Sequence, residues 1–429
     1  MRIYLHTLGC KVNQYESQAL ETIFREAGHE IVPEPSGCDA VVVNTCAVTA
    51  ESVRKSRQAL RRLRTECPDA VVAVCGCWPQ AEPGAPGPLG ADVVYGSGDR
   101  RRFAADVEKA FADRTPVRRV DSALSRRTFE PLPPGNTAPR NRALLKIEDG
   151  CVNFCAYCII PYVRGPVRSL PAAQIASCAA RLEAEGYREI VLTGIEIASY
   201  GRDLPERPSL ADAVCAAAAA APGARLRLGS LEPRAVTEAF CRALADTGRV
   251  CPHFHLSLQS GCDETLARMR RKYDTARFFE STRLLRRYFP GCGLTADLIV
   301  GFPGETEAEF AKTLSFVGSC AFSSMHIFPY SVRRGTAAAD LPDKISTAEK
   351  RGRAKRAAAV AAASKDAFLR AQIGTVQQVL FESEGPGGWL GHAGNYALVL
   401  ASGTNLRNRV ANVQITGLKD GKLLGNLLV

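Results

Sequence analysis

Three cysteines in the stretch GCVNFCAYCIIPYVRGPVRS constrain this chain more than any other feature. Cys151, Cys155 and Cys158 form a CxxxCxxC triplet directly after a predicted strand. A short loop with this spacing can wrap three thiolates around three corners of a cubane [4Fe-4S] cluster, because soft sulfur ligands suit iron-sulfur chemistry. One iron is then left without a protein ligand, which opens a coordination site for a bound molecule. A zinc site and a CxxC redox pair are the alternatives. Zinc needs a fourth ligand, and the nearest later cysteine, Cys178, falls in a predicted helix with no CxxC partner.

The triplet, with Tyr157 just before its last cysteine, resembles the radical S-adenosylmethionine (radical SAM) enzymes. The resemblance implies that Cys151, Cys155 and Cys158 are both metal ligands and catalytic residues. It also implies that the free iron holds the amino and carboxylate groups of SAM, and that the reduced cluster cleaves SAM to a 5′-deoxyadenosyl radical.

The 429 residues suffice for two or three domains with real cores. Sixteen cysteines in so long a chain, without a signal peptide, read as reduced thiols, so the expected location is the cytoplasm. The most apolar helical run, AVCAAAAAAP, is too short to span a bilayer, and no membrane partner is expected. A formal charge of +11 fits a polyanionic partner such as RNA, although charge alone speaks only to non-specific attraction.

Residues 1–112 alternate apolar, β-branched runs (RIYLHTLG, AVVVNTCAV, AVVAVCGC, DVVYGSG) with helical periodicity (NQYESQALETIFREAG, ESVRKSRQALRRLRTEC). That pattern predicts a parallel α/β sheet. Each of the first three of these runs ends in a cysteine: Cys10, Cys46 and Cys77. Ligands of an open parallel sheet sit beyond the carboxyl ends of its strands, so three thiolates can converge there although the sequence separates them. This predicts a second three-cysteine cluster site. Cys38, Cys67 and Cys75 read as small buried residues. The motifs TLGCKVNQYES, NTC and GCWPQ resemble the N-terminal domain of the methylthiotransferases, radical SAM enzymes with a second cluster.

Residues 113–139, with PLPPGNTAPR and little periodicity, read as a linker. Over 140–368 a strand recurs before each helix: ALLKIED, REIVLTG, ARLRLGSL, HFHLSLQS, LTADLIVGF and SSMHIFPYS. Six such units predict an incomplete (β/α)6 barrel, the fold of radical SAM cores, with active residues at strand C-termini. Resemblance implies that Tyr157, Gly194, Glu232, Ser257 and Gln259 line the SAM pocket; barrel-mouth filling is the structural alternative. Where many radical SAM enzymes carry two glycines and a glutamate, this chain reads TGIEI, so the role of Glu196 stays open. His253 and His255 share one face of a strand and read as barrel filling.

An Ala-rich basic helix over 345–370 leads into residues 371–429, where TVQQVLF, YALVLA, RVANVQIT and KLLGNLLV predict a small β-barrel. Position and pattern resemble the TRAM domain, an RNA-binding module. Its charge is nearly balanced, Arg407, Arg409, Lys419 and Lys422 against Glu382, Glu384 and Asp420. The basic runs lie elsewhere, at Arg54 to Arg64 and Arg268 to Lys272, and are either solvated helix faces or RNA contacts.

The whole chain is similar to one architecture: cluster domain, radical SAM barrel, TRAM. TLGCKVNQYES, HLSLQSGCDETLARM, HIFPYSVRRGT and GHAGNYALV most resemble the methylthiotransferases that act on N6-threonylcarbamoyladenosine in tRNA. Related enzymes for isopentenyladenosine in tRNA or a ribosomal-protein aspartate share the frame. The resemblance implies two [4Fe-4S] clusters, SAM, a tRNA substrate and a low-potential donor of the flavodoxin or ferredoxin type. It further implies that one SAM methylates sulfur held at the Cys10, Cys46, Cys77 cluster while a second generates the radical. A non-catalytic RNA-binding metal protein is the reading from a different class.

Overall fold

The computed structural model describes residues 1–134 and 141–428; the 135–139 part of the stretch read as a linker lies outside the described residues. Strands β1 (Arg2–Thr7), β2 (Glu30–Val32), β3 (Ala40–Thr45), β4 (Val71–Gly76), β5 (Val93–Tyr95) and β6 (Val117–Arg119) form one parallel sheet, ordered β2-β1-β3-β4-β5-β6. β3 and β4 are buried at every residue, which requires cover on both faces. Helices α1 (Lys11–Glu26), α2 (Ala50–Glu66), α3 (Cys77–Ala81) and α4 (Arg100–Asp113) supply it. Leu20 and Phe24 of α1 join one core, and Leu60 and Leu63 of α2 the other, at helical spacing. β2 and β6 were not expected from the sequence. β6 falls in the stretch read as linker and closes the sheet edge through Val93↔Val117 pairing.

The second unit contains β7 (Arg142–Lys146), the ribbon β8 (Glu148–Asp149) with β9 (Arg168–Ser169), then β10 (Glu189–Thr193), β11 (Arg225–Leu228), β12 (Ser230–Leu231), β13 (His253–Gln259), β14 (Gly293–Val300) and β15 (Ser324–Pro329). Its parallel strands run β11-β10-β7 and β12-β13-β14-β15, linked by a Leu226–Val250 bridge. Helices α5 (Ile160–Arg164), α6 (Ala172–Ala184), α7 (Leu210–Ala220), α8 (Glu238–Asp246), α9 (Asp263–Arg268), α10 (Thr275–Tyr288) and α11 (Glu307–Cys320) connect them. Capping boxes at Ser209/Asp212 and Thr306/Glu309 set the starts of α7 and α11. Six β/α units thus make the expected incomplete barrel, with β7 and β15 as its free edges among the described residues. Helix α12 (Thr347–Arg370) leads to β16 (Val376–Gly385), β17 (Gly388–Ala393), β18 (Leu398–Ala401), β19 (Val410–Lys419) and β20 (Lys422–Leu427), a closed barrel ordered β16-β17-β18-β20-β19. β17 falls between the runs TVQQVLF and YALVLA, where the sequence reading named no strand.

Alternation along the barrel strands decides what the interior holds. Ile190, Leu192, Leu226, Leu228, Phe254 and Leu256 enter the core under the helices, which turns Glu189, Arg225, Arg227, His253 and His255 to the inside. Glu189, with no exposed surface, binds Arg225 at 2.6 Å, Arg227 at 2.7 Å and Arg142 at 3.2 Å. Arg225 donates to the carbonyls of Gln378 (3.0 Å) and His392 (2.9 Å), and Arg227 to that of Gly394 (3.0 Å). The Tyr396 ring stacks on His253 with centroids 4.7 Å apart. The small β-barrel therefore closes the amino-terminal floor of the larger one.

Burial alone would raise the Glu189 pKa, but Arg227, Arg225 and Arg142 outweigh it and hold the carboxyl below the usual range. A depressed folded pKa gives stability that is full above the unfolded value, roughly pH 4, and is lost as pH falls through the folded one. Glu189→Gln is expected to cost about 3–5 kcal/mol at neutral pH by stranding buried arginines. Thermal melts against pH should show a lower melting temperature and a flatter acid limb than the unsubstituted chain.

Candidate active site

Register brings the first cysteine triad together. Thr7 pairs with Asn44 and Thr45 with Gly76, so β1, β3 and β4 end in line and Cys10, Cys46 and Cys77 emerge along one sheet edge. The charges of Cys46 and Cys10 both act on Cys77, and a Cβ on Gly9 would lie 3.0 Å from that of Cys46. Gly76 has φ +106°, and a Cβ there would stand 2.4 Å from the Thr45 carbonyl oxygen. Only glycine lets the chain turn into Cys77 there. Cys75 sits in the core on the other side of the sheet, and the Cys38 and Cys67 sulfurs lie 3.8 Å from each other.

The second triad occupies the loop after β8. Cys151 and Cys155 are buried and Cys158 is half-buried, and the charges of Cys158 and Cys155 act on Cys151. Burial pushes the Cys77 and Cys158 thiols up to about 12, which disfavours free thiolates. Nitrogen donors nevertheless point at the sulfurs. The Val48 amide donates to Cys46 Sγ and the Asn153 amide to Cys151 Sγ, each at 3.5 Å. Arg271 Nη1 donates to Cys155 Sγ at 3.1 Å and Arg164 Nε to Cys77 Sγ at 3.3 Å. Donors aimed at ligand sulfur are how proteins hold and tune iron-sulfur clusters. Among the described residues no three His, Cys, Asp or Glu are arranged to hold a single metal ion. Zinc ligands close on one atom, whereas a cubane spreads its thiolates over separate irons.

One helical turn joins the two triads. α5 begins two residues after Cys158, its Val163 shares a core with Cys77, and its last residue is Arg164. That guanidinium, with no exposed surface, pairs with Glu16 and reaches Asn13 Oδ1 at 2.9 Å as well as Cys77. Sequence reasoning missed Arg164, Asn13 and Glu16, whose partners lie 87 to 151 positions away.

The residues expected around SAM are placed on the same side. Gly194 follows β10, where a Cβ would meet Glu148 Oε2 at 2.7 Å. Tyr157 packs edge-on to Phe302, centroids 6.5 Å apart. Ser257 and Gln259 lie on the interior face at the end of β13, Gln259 with φ +67°. Glu232 is buried and paired with Arg234 at 2.8 Å. Glu196 accepts from Asn153 Nδ2 at 3.4 Å while its Oε1 is buried without a partner. Burial and the nearby Glu232 carboxylate push Glu196 up to about 7, against the opposing pull of Arg271 and Arg202. Of the basic run Arg268 to Lys272, Arg270, Arg271 and Lys272 line a pocket with Asn153, Cys155 and Glu232, Lys272 Nζ lying 3.4 Å from Asn153 Oδ1, whereas Arg268 pairs with Glu309 of α11 at 2.6 Å. In the other run Arg54 pairs with Glu51 (2.6 Å) and Arg57 with Glu82 (2.8 Å).

Residues 145–317 match the family described as the Radical SAM superfamily, and residues 2–86 match Uncharacterized protein family UPF0004. The chain is 35% identical over 421 residues to a threonylcarbamoyladenosine tRNA methylthiotransferase, MtaB, of Bacillus subtilis, covering 96% of this chain and 93% of that one. It is 31% identical over 450 residues to a tRNA-2-methylthio-N(6)-dimethylallyladenosine synthase of Symbiobacterium thermophilum, covering 100% and 94%. The chain belongs to the radical SAM tRNA methylthiotransferase family. Among solved structures, the radical SAM methyltransferase TsrM of Kitasatospora setae shares the fold, with TM-score 0.57 at 17% identity over 79% of this chain and 77% of that one. As a radical SAM tRNA methylthiotransferase the chain uses SAM and two [4Fe-4S] clusters, and both triads have the donor chemistry to hold them. No helix among the described residues is long and apolar enough to cross a membrane.

Proposed function

We propose that the chain inserts a methylthio group at C2 of N6-threonylcarbamoyladenosine beside the tRNA anticodon. Cys151, Cys155 and Cys158 would hold the cluster that works with SAM, and Cys10, Cys46 and Cys77 the cluster that holds the sulfur. The observation that carries this reading is the single turn of α5, which leaves the second triad and puts Arg164 3.3 Å from Cys77 Sγ. The substrate base follows the name of the Bacillus subtilis relative.

When bound, these groups supply hydrogen abstraction from C2 and the sulfur to be transferred. The chain's own residues bind and orient. Glu196, with its unpartnered oxygen, and buried Glu232 would take the ammonium group of SAM. Ser257 and Gln259 offer a hydroxyl and an amide to its ribose and methionine moiety, and Gly194 permits close backbone approach. The core of Ala156, Met269, Phe302 and Tyr330 beneath Tyr157 keeps water from that side. A low-potential flavodoxin- or ferredoxin-type donor would reduce the chain, and its place of action would be the cytoplasm.

Nucleoside mass spectrometry of tRNA from cells lacking this chain tests the proposal. The expected result is loss of 2-methylthio-N6-threonylcarbamoyladenosine with its unthiolated parent accumulating. Loss of the isopentenyl counterpart instead would assign the base named for the Symbiobacterium relative and overturn the substrate reading.

A further inference from the structure

Lys11 directly follows Cys10, and its side chain is solvent-accessible. It makes no hydrogen bond or ion pair among the described residues. It opens α1 beside Cys10 at the sheet edge, and the charged groups near enough to act on it are Arg227, Arg142, Glu189 and Cys10. His253, on the interior face of β13, senses Lys11 in turn. Arg227, Glu189 and His253 face the inside of the barrel, so Lys11 borders that interior from the side of the first cysteine triad.

The other cations there are already committed. Arg227 is 1% exposed, with its donors on Glu189 (2.7 Å) and the Gly394 carbonyl (3.0 Å). Arg142 bridges Glu189 (3.2 Å) and Glu382 (2.8 Å), and Arg225 is held by Glu189 and two carbonyls. Lys11, Arg142, Arg225 and Arg227 thus outnumber Glu189 and Glu382, while Asp297 is held by His255 at 3.2 Å, and among the described residues Lys11 is the one of these four cations with no ion-pair partner. Such a site takes an anion.

We propose that Lys11 binds the carboxylate of the amino-acid group carried on N6 of the substrate adenosine. This rests on the substrate reading above. C2 and C6 of adenine flank N1, so a ureido substituent on N6 projects along the same edge as the reacting carbon. A base that presents C2 to the Cys10 triad brings that substituent to the residue next to Cys10. An isopentenyl group has no anion to offer this lysine.

The test uses the cluster-reconstituted full chain and three anticodon stem-loop RNAs. They carry N6-threonylcarbamoyladenosine, its carboxyl methyl ester, or unmodified adenosine, and dissociation constants come from fluorescence anisotropy. The unsubstituted chain is expected to bind the acid about tenfold or more tighter than the ester, the size of one charge-assisted hydrogen bond. Lys11→Gln should bind acid and ester alike with iron content unchanged, and Lys11→Arg should restore the preference. If Lys11 instead meets an RNA phosphate, Lys11→Gln weakens all three RNAs equally and the ester costs nothing, which overturns the inference. The acid-ester comparison needs no variant, so it decides even if Lys11→Gln misfolds. Equal binding of acid and ester, with methylthio product still formed on the acid, refutes only the Lys11 subsite. No product on the acid refutes the substrate reading and this inference with it.

Discussion

Cys155→Ala is expected to abolish SAM cleavage and to lower iron from about eight atoms per chain to about four. Cys46→Ala should lose a similar share of iron, keep SAM cleavage to 5′-deoxyadenosine, and make no methylthiolated nucleoside. The asymmetry follows from how each triad is anchored. Cys151, Cys155 and Cys158 are carried by one loop after β8, and Arg271 donates to Cys155 Sγ. Cys10, Cys46 and Cys77 hang from three separate strands whose register is set by fully buried β3 and β4. Removing one thiol leaves two ligands for that cluster, and the fold that positions the other triad is untouched. Iron and sulfide assays with product analysis check this. Loss of all iron from either variant, or normal methylthiolation by either, would show that the triads do not serve two separate clusters.

The two triads differ in how they could be read. The CxxxCxxC spacing is local, so the loop that carries it announces itself in twenty residues. Cys10, Cys46 and Cys77 are far apart in sequence, yet strand-length apolar runs ending in cysteine, with the rule for open parallel sheets, place them on one edge. The same logic failed for short or atypical strands. β2 spans three residues, β6 is Val-Arg-Arg, and β17 contains two glycines; none shows an apolar period, and their pairing with neighbours decides their structure. Arginines were the least legible. In sequence Arg164, Arg227 and Arg271 look like solvated charges, but each is tied to partners more than thirty positions away, Cys77, Glu189 and Cys155 respectively. Only the assembled fold shows that these charges line or floor the cavity.

Arg164→Met is expected to destabilise the chain by about 3–5 kcal/mol, because it strips the main partner from a fully buried carboxylate. Glu16 is 1% exposed and meets Arg164, Arg100 at 3.0 Å and Lys146 at 3.6 Å. Burial alone would raise its pKa, but Arg164, Arg100 and Lys146 outweigh that and hold it below the usual carboxylate range. The pairing therefore stabilises the fold above roughly pH 4 and is lost as pH falls through the folded value. Residues from three places meet here: Glu16 from the first sheet's α1, Lys146 from the barrel's first strand, and Arg164 from the turn after the second triad. The loss should fall on the junction between the two units, so limited proteolysis should open the 120–134 stretch, where Tyr15 of α1 donates to the Leu132 carbonyl at 2.8 Å, before either unit unfolds. Arg164→Lys keeps the charge but cannot serve Glu16, Asn13 and Cys77 with one planar fork, so its melting temperature should fall between those of the Met variant and the unsubstituted chain. A Met variant as stable as the unsubstituted chain at neutral pH would mean that Arg100 and Lys146 alone neutralise Glu16, and the junction would then have to be held by apolar contacts such as those of Val163 with the Cys77 core.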